Sequence, residues 1–163
     1  MIQRIQSIFL FGVAACMVTM LFFPIWNKLD GEKNELVELT VLKFSHTKKD
    51  IETGEIAVIA EGQTFYIAIL AILAAGVALY SIFKYENRLL QMKLGALNSL
   101  FMGGVMGLIV YHVYQAERMI APTQQGNYLF AFYLGVSALL FNLLSNRFIR
   151  RDEKLVRSAD RIR

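Results

Sequence analysis

Residues 65–83 read FYIAILAILAAGVALYSIF, nineteen positions without a charge. As a helix rising about 1.5 Å per residue, the stretch spans roughly 29 Å, the thickness of a bilayer's hydrocarbon core. A core helix of a soluble domain would carry a polar stripe at helical spacing. Here Tyr66, Tyr80 and Ser81 supply all the polarity, and they lie near the ends. The stretch therefore reads as a transmembrane helix, and three further apolar runs fall into place around it.

On its N-terminal side, residues 5–27 are uncharged between Arg4 and Lys28. The segment VAAC at 13–16 resembles a processing site, but the apolar run continues well past Cys16, which favours a retained helix over a cleaved leader. On its C-terminal side, residues 94–116 and 128–145 are also free of charge. Four spans result, at about 5–26, 65–83, 94–116 and 128–146, in one membrane domain covering residues 1–163. The expected fold is an all-α membrane protein, a four-transmembrane-helix bundle.

Between the first two spans, residues 28–62 change character. ELVELTVLKF at 35–44 is β-branched and alternating, and 55–60 forms a second such run after the turn-rich segment 47–54. A small β-hairpin-like extracytoplasmic loop is expected, too short to build a pocket of its own. Residues 147–163 are the most charged stretch of the chain and read as a cytoplasmic C-terminal helix.

Charge sets the orientation. Of the 17 basic residues, eleven fall on one side of such a membrane (Arg4, Lys84, Arg88, Lys93 and seven after Asn146) and six on the other. By the positive-inside rule both termini are cytoplasmic and the β-rich loop is outside, in a multi-pass protein of a bacterial inner membrane.

Chemistry is sparse. The single cysteine, Cys16, excludes an internal disulfide and any two-cysteine redox or metal site. No Asp or Glu lies within the four runs, which argues against an ion-coupled transporter. His112 sits near the outer boundary between Tyr111 and Tyr114, and His46 has no partner at metal-ligand spacing. No phosphate-cradling glycine loop or nucleophile motif occurs. No catalytic, cofactor or metal residue is assigned, and nothing points to nucleic acid.

Helix packing offers more. Gly103 and Gly107 form a GxxxG pair, and Ala71 and Ala75 form a small-residue track on the second span. Asn98 and Asn142 each lie five residues inside the inner boundary, so an amide pair between the third and fourth spans is expected, or else a polar notch for a lipid headgroup. On the tail, Phe148, Leu155, Ala159 and Ile162 share a stripe. Glu153 pairs with Arg157 at i,i+4, and Asp160 with Arg157 or Arg163 at i,i+3. Such a helix either rests on anionic lipid or docks on a partner, with Glu153, Arg157, Asp160 and Arg161 as the docking residues.

The opening MIQRIQ at 1–6 and the ending RDEKLVRSADRIR at 151–163 resemble a family of small bacterial four-helix integral membrane proteins, a domain of unknown function. That resemblance implies an inner-membrane location in the Bacteroidota lineage and brings no reaction, ligand or catalytic residue with it.

The functional expectation is a non-enzymatic accessory or scaffold subunit of an inner-membrane assembly, docking through its charged tail and outer loop. Its partners are the lipid bilayer and an unidentified membrane or cytoplasmic protein, and its oligomeric state stays open. The alternatives are a small transporter or channel, marked by polar groups lining the bundle, and a lipid-handling membrane enzyme. For the enzyme, only Tyr85, Asn87, Arg88 and Gln91 of the inner link are at hand.

Overall fold

The computed structural model describes residues 3–31, 33–50, 55–85, 87–120 and 125–160, without the side chains of residues 3, 4, 157, 159 and 160. Four helices, α1 (Gln3–Met20), α2 (Phe65–Phe83), α3 (Arg88–Glu117) and α4 (Phe130–Asp160), form a ring. Each packs on its sequence neighbours, and α1 closes the ring against α4. On α2 the inward face is small (Ala68, Ala71, Ala74, Ala75, Ala78), while Ile69, Ile72, Leu73 and Leu79 point outward. Small residues inside and branched ones outside reverse the pattern of a soluble bundle, and they let backbones approach closely in lipid.

The expectation of an all-helical four-span bundle needs correction. Above one end of the ring stands a five-stranded antiparallel sheet of β1 (Trp26–Asp30), β2 (Glu35–Leu39), β3 (Lys43–Lys49), β4 (Ile56–Gln63) and β5 (Asn127–Tyr128), in the order β4-β3-β2-β1-β5. Among the described residues three helices are long and apolar enough to cross a membrane: α2, α3 and the part of α4 from Phe130 to Val156. These mark a membrane protein. The apolar stretch of α1, Ile5–Met20, is shorter.

Physical reasons account for each difference. The first apolar run leaves the helix at a turn in which Leu21 and Phe22 donate to Val18 and Thr19. Pro24, which has no N–H to continue a helix, follows. Ile25 then donates to Leu39 O and accepts from Leu129 N, so the end of the run belongs to the sheet. Trp26, inside the first expected span, is instead a buried strand residue opposite Leu39 and Tyr128. The run 35–44 is likewise two strands joined by a tight turn. The Thr40 hydroxyl donates to Lys43 O and accepts from the Lys43 and Leu42 amides, closing a hairpin at 40–43. The charged tail is no separate helix either, because α4 runs unbroken to Asp160. At about 1.5 Å per residue its 31 residues reach roughly 46 Å, well beyond a hydrocarbon core.

Every helix has one end in the sheet. α1 leads into β1, β4 leads through Thr64 into α2, and β5 leads into α4. The last turn of α3 is held by Lys28 of β1, whose Nζ donates to the Glu117 carbonyl. The core accordingly runs from the bundle up into Ile25, Trp26, Val37, Leu39 and Val41.

Candidate functional site

The opposite, sheet-distal end of the bundle is polar inside. Gln6, Ser81, Gln91, Asn98, Asn142 and Ser145 are all buried there, one or more from each helix. Some pair well. Gln91 Nε2 donates to Ser81 O at 2.9 Å, joining α2 to α3. Asn142 Nδ2 donates to Gly95 O at 3.1 Å and Ser99 Oγ at 2.7 Å, joining α4 to α3. Others do not. Among the described residues, both amide atoms of Asn98, Asn142 Oδ1, Ser145 Oγ and Asn146 Oδ1 are buried without a protein partner. Buried polar atoms in that condition are uncommon and each calls for a reason.

A cleft of about 750 Å³ opens at this end between α3 and α4. Its α3 wall is Ala96 and Ser99, and its α4 wall is Leu143, Asn146, Arg147, Arg150, Arg151 and Lys154. The small residues of α3 make the hollow. A Cβ at Gly95 would overlap the Asn146 amide, so the bare glycine backbone is what admits that side chain. The four cations recur at i, i+3, i+4 and i+7, which places them on one helical face. No acid lines the cleft, and among the described residues none of the four is ion-paired. Arg88 is engaged elsewhere: its Nη2 lies 3.3 Å from Asp152 Oδ2 and its Nη1 donates to Asp152 O, tying the start of α3 to the tail of α4.

The sheet-proximal end carries a different set. Lys28 is 1 % exposed, with Nζ 3.0 Å from Glu117 O and 3.4 Å from Glu117 Oε1. Glu117 Oε1 also accepts from Gly126 N. Tyr66 on α2 and His112 on α3 are hydrogen-bonded, and His46 Nε2 lies 3.2 Å from Glu35 Oε2. Among the described residues each is a pair without the third group that nucleophilic catalysis uses. Among the described residues no cluster of three or more His, Cys, Asp or Glu could hold a metal ion.

The residues singled out from sequence are scattered by this arrangement. Ala71 and Ala75 are buried in the α2 seam. Gly103 and Gly107 are exposed, and a Cβ at either would meet open space, so the GxxxG pair makes no close contact among the described residues. Close approach occurs one face round, at Gly95. Asn98 and Asn142 are both buried, but Asn142 bonds to Gly95 and Ser99 rather than to Asn98. In the tail, Phe148 packs inward on Phe9, stacked at 5.6 Å, whereas Leu155 and Val156 are exposed. Glu153 is half-buried and has a partner. The side chains of Arg157 and Asp160, and all of Arg161, lie outside the described residues.

Sequence reasoning missed the cleft itself. The spacing of Arg147, Arg150, Arg151 and Lys154 was its signal, but that spacing acquires meaning only beside the small residues of α3.

The chain belongs to the family described as Domain of unknown function (DUF4293), which it matches over residues 2–162. No curated protein matches it.

Proposed function

We propose that this protein is a non-enzymatic accessory or scaffold subunit of a bacterial inner-membrane assembly, with both termini cytoplasmic and the sheet outside. In that setting it would receive a β-strand from another chain along β4.

The observation that carries this reading is the state of β4. It is an edge strand of eight residues, and Ile56, Val58 and Ile59 are 67 %, 62 % and 50 % exposed. Edges are blunted by charge, proline, bulges or a cover, because their free N–H and C=O groups recruit other strands; β4 has Glu61 and a bulge near its membrane end and is apolar from Ile56 to Ala60. The opposite edge is only two residues long. One irregularity interrupts β4: His46 faces Ala60 and Thr47 faces Val58, so Ile59 has no opposite residue on β3. The strand runs toward the membrane, since α2 begins two residues after it ends. Two copies inserted the same way would present this edge in the same direction, which rules out antiparallel self-pairing. A strand from a different chain meets no such restriction.

The test is in-cell photocross-linking from position 58. A protein adduct of one defined mass is expected, lost when Ile56→Lys places a charge on the edge. Adducts only to lipid, or only between two copies of this chain, would overturn the reading.

A further inference from the structure

The basic cleft at the other end lies beyond this reading. We infer that it is a binding site for a ligand carrying two phosphate groups, and specifically for the headgroup of a bisphosphate lipid.

Charge gives the ligand class. Three guanidinium groups and one ammonium line the cleft with no acid among them. Guanidinium stays charged at any physiological pH, and like charges at i,i+3 and i,i+4 repel. Such a cluster draws anions to the cleft, and a single phosphodiester carries one negative charge against four positive. From Arg147 to Lys154 the helix advances about 10 Å, room for two phosphates side by side.

Shape gives the source. Leu143, 60 % exposed, both lines the cleft and continues the outward apolar ridge of α4 that includes Leu140. A molecule seated among the arginines can therefore run its chains down that ridge without leaving the apolar surface. A soluble phosphate has no use for Leu143. Asn146 lines the same cleft, and its buried Oδ1 is turned onto the bare backbone of Gly95, which draws α3 and α4 together at the cleft floor. Basic residues at a membrane surface often attract anionic lipid without choosing among lipids. The concavity between α3 and α4 and its apolar Leu143 wall distinguish this site from such a surface.

The experiment uses the full chain in nanodiscs and reads lipid retention by native mass spectrometry. Cardiolipin supplies the bisphosphate headgroup, and phosphatidylglycerol at equal phosphate supplies the monophosphate one. Cardiolipin should be retained about tenfold more tightly, as expected of a site rather than a charged shell. Ala96→Phe fills the cleft at an exposed position and leaves every charge in place. It should weaken cardiolipin retention about tenfold, as should the pair Arg150→Gln with Arg151→Gln. Lys84→Gln with Lys93→Gln removes the same charge at the same end but outside the lining, and should change retention by less than about twofold. Thermal melts of all variants establish that they are folded.

Equal retention of the two lipids, or equal loss in the Lys84/Lys93 control, reduces the cleft to non-selective attraction and overturns the proposal. Pyrophosphate added to uncharged nanodiscs forms the second arm. If it stabilises the protein in a cleft-dependent way more than cardiolipin does, the two-phosphate chemistry stands and the lipid source is overturned.

Discussion

The ammonium of Lys28, on the first strand, donates to the main-chain carbonyl of Glu117 at 3.0 Å and lies 3.4 Å from the same residue's carboxylate. One residue thus satisfies a buried cation twice. The helix end contributes as well, since its exposed carbonyls carry the negative pole of the macrodipole.

Removing either partner should have unequal effects. Lys28→Met replaces a buried charge by an apolar chain of similar length and should change stability by less than about 1 kcal/mol. Glu117→Ala keeps the buried cation but takes its carboxylate, with only the carbonyl left. Because that carboxylate is partly exposed, a loss of about 1–2 kcal/mol is expected rather than the full penalty of a broken buried pair. Denaturant unfolding in detergent that ranked Lys28→Met as the more damaging change would contradict this account.

Two glycine substitutions separate inward from outward faces of α3. Gly95→Ala forces the Asn146 amide to move and should destabilise by about 1–3 kcal/mol, as overpacking does. Gly103→Leu enters open space and should stay within about 0.5 kcal/mol of the parent. Thermal melts of the two proteins in one detergent decide the matter.

The buried asparagines should also part company. Asn142→Leu loses two inter-helix hydrogen bonds and should destabilise by about 1 kcal/mol. Asn98→Leu removes an amide with no protein partner and should be neutral or stabilising. A larger loss at 98 than at 142 would mean that Asn98 is satisfied by something the chain does not supply.

At the β2–β3 turn, Thr40→Val retains shape and β-propensity but removes a hydroxyl that makes three hydrogen bonds. The expected loss is about 1 kcal/mol, the net worth of one such side-chain network. Thr40→Ser keeps the hydroxyl and should recover most of it. Equal melting of the Val and Ser variants would show that the hairpin closes without that network.

How much of this was legible depends on whether a signal is local. The helix Phe65–Phe83 declares itself because nineteen uncharged residues have few alternatives. The strand WNKLD does not, since its buried lysine reads as a loop residue until Glu117 is brought to it from 89 positions away. The turn at Thr40 hid inside a β-branched run, where only the hydroxyl distinguishes it from its neighbours. Gly103 and Gly107 misled for a geometric reason. Small residues four apart mark a face without saying which way it points, and on α3 the buried face includes Gly95, Asn98, Met102, Val105 and Ile109 but neither glycine of the pair. Likewise the cations of α4 read only as part of a tail that rests on anionic lipid or docks on a partner, because the hollow beside them is contributed by another helix.

Because all four helices are rooted in or against the sheet and none is so rooted at its far end, the bundle is built like a cantilever. Displacement at the tips is geometrically cheap, while displacement at the roots means tearing strand ladders. The Arg88–Asp152 tie acts as a strut across two of the tips, next to the cleft. Amide exchange should therefore quicken along each helix with distance from the sheet, and cutting the strut with Arg88→Gln should steepen that gradient in α3 and α4 without disturbing the strands.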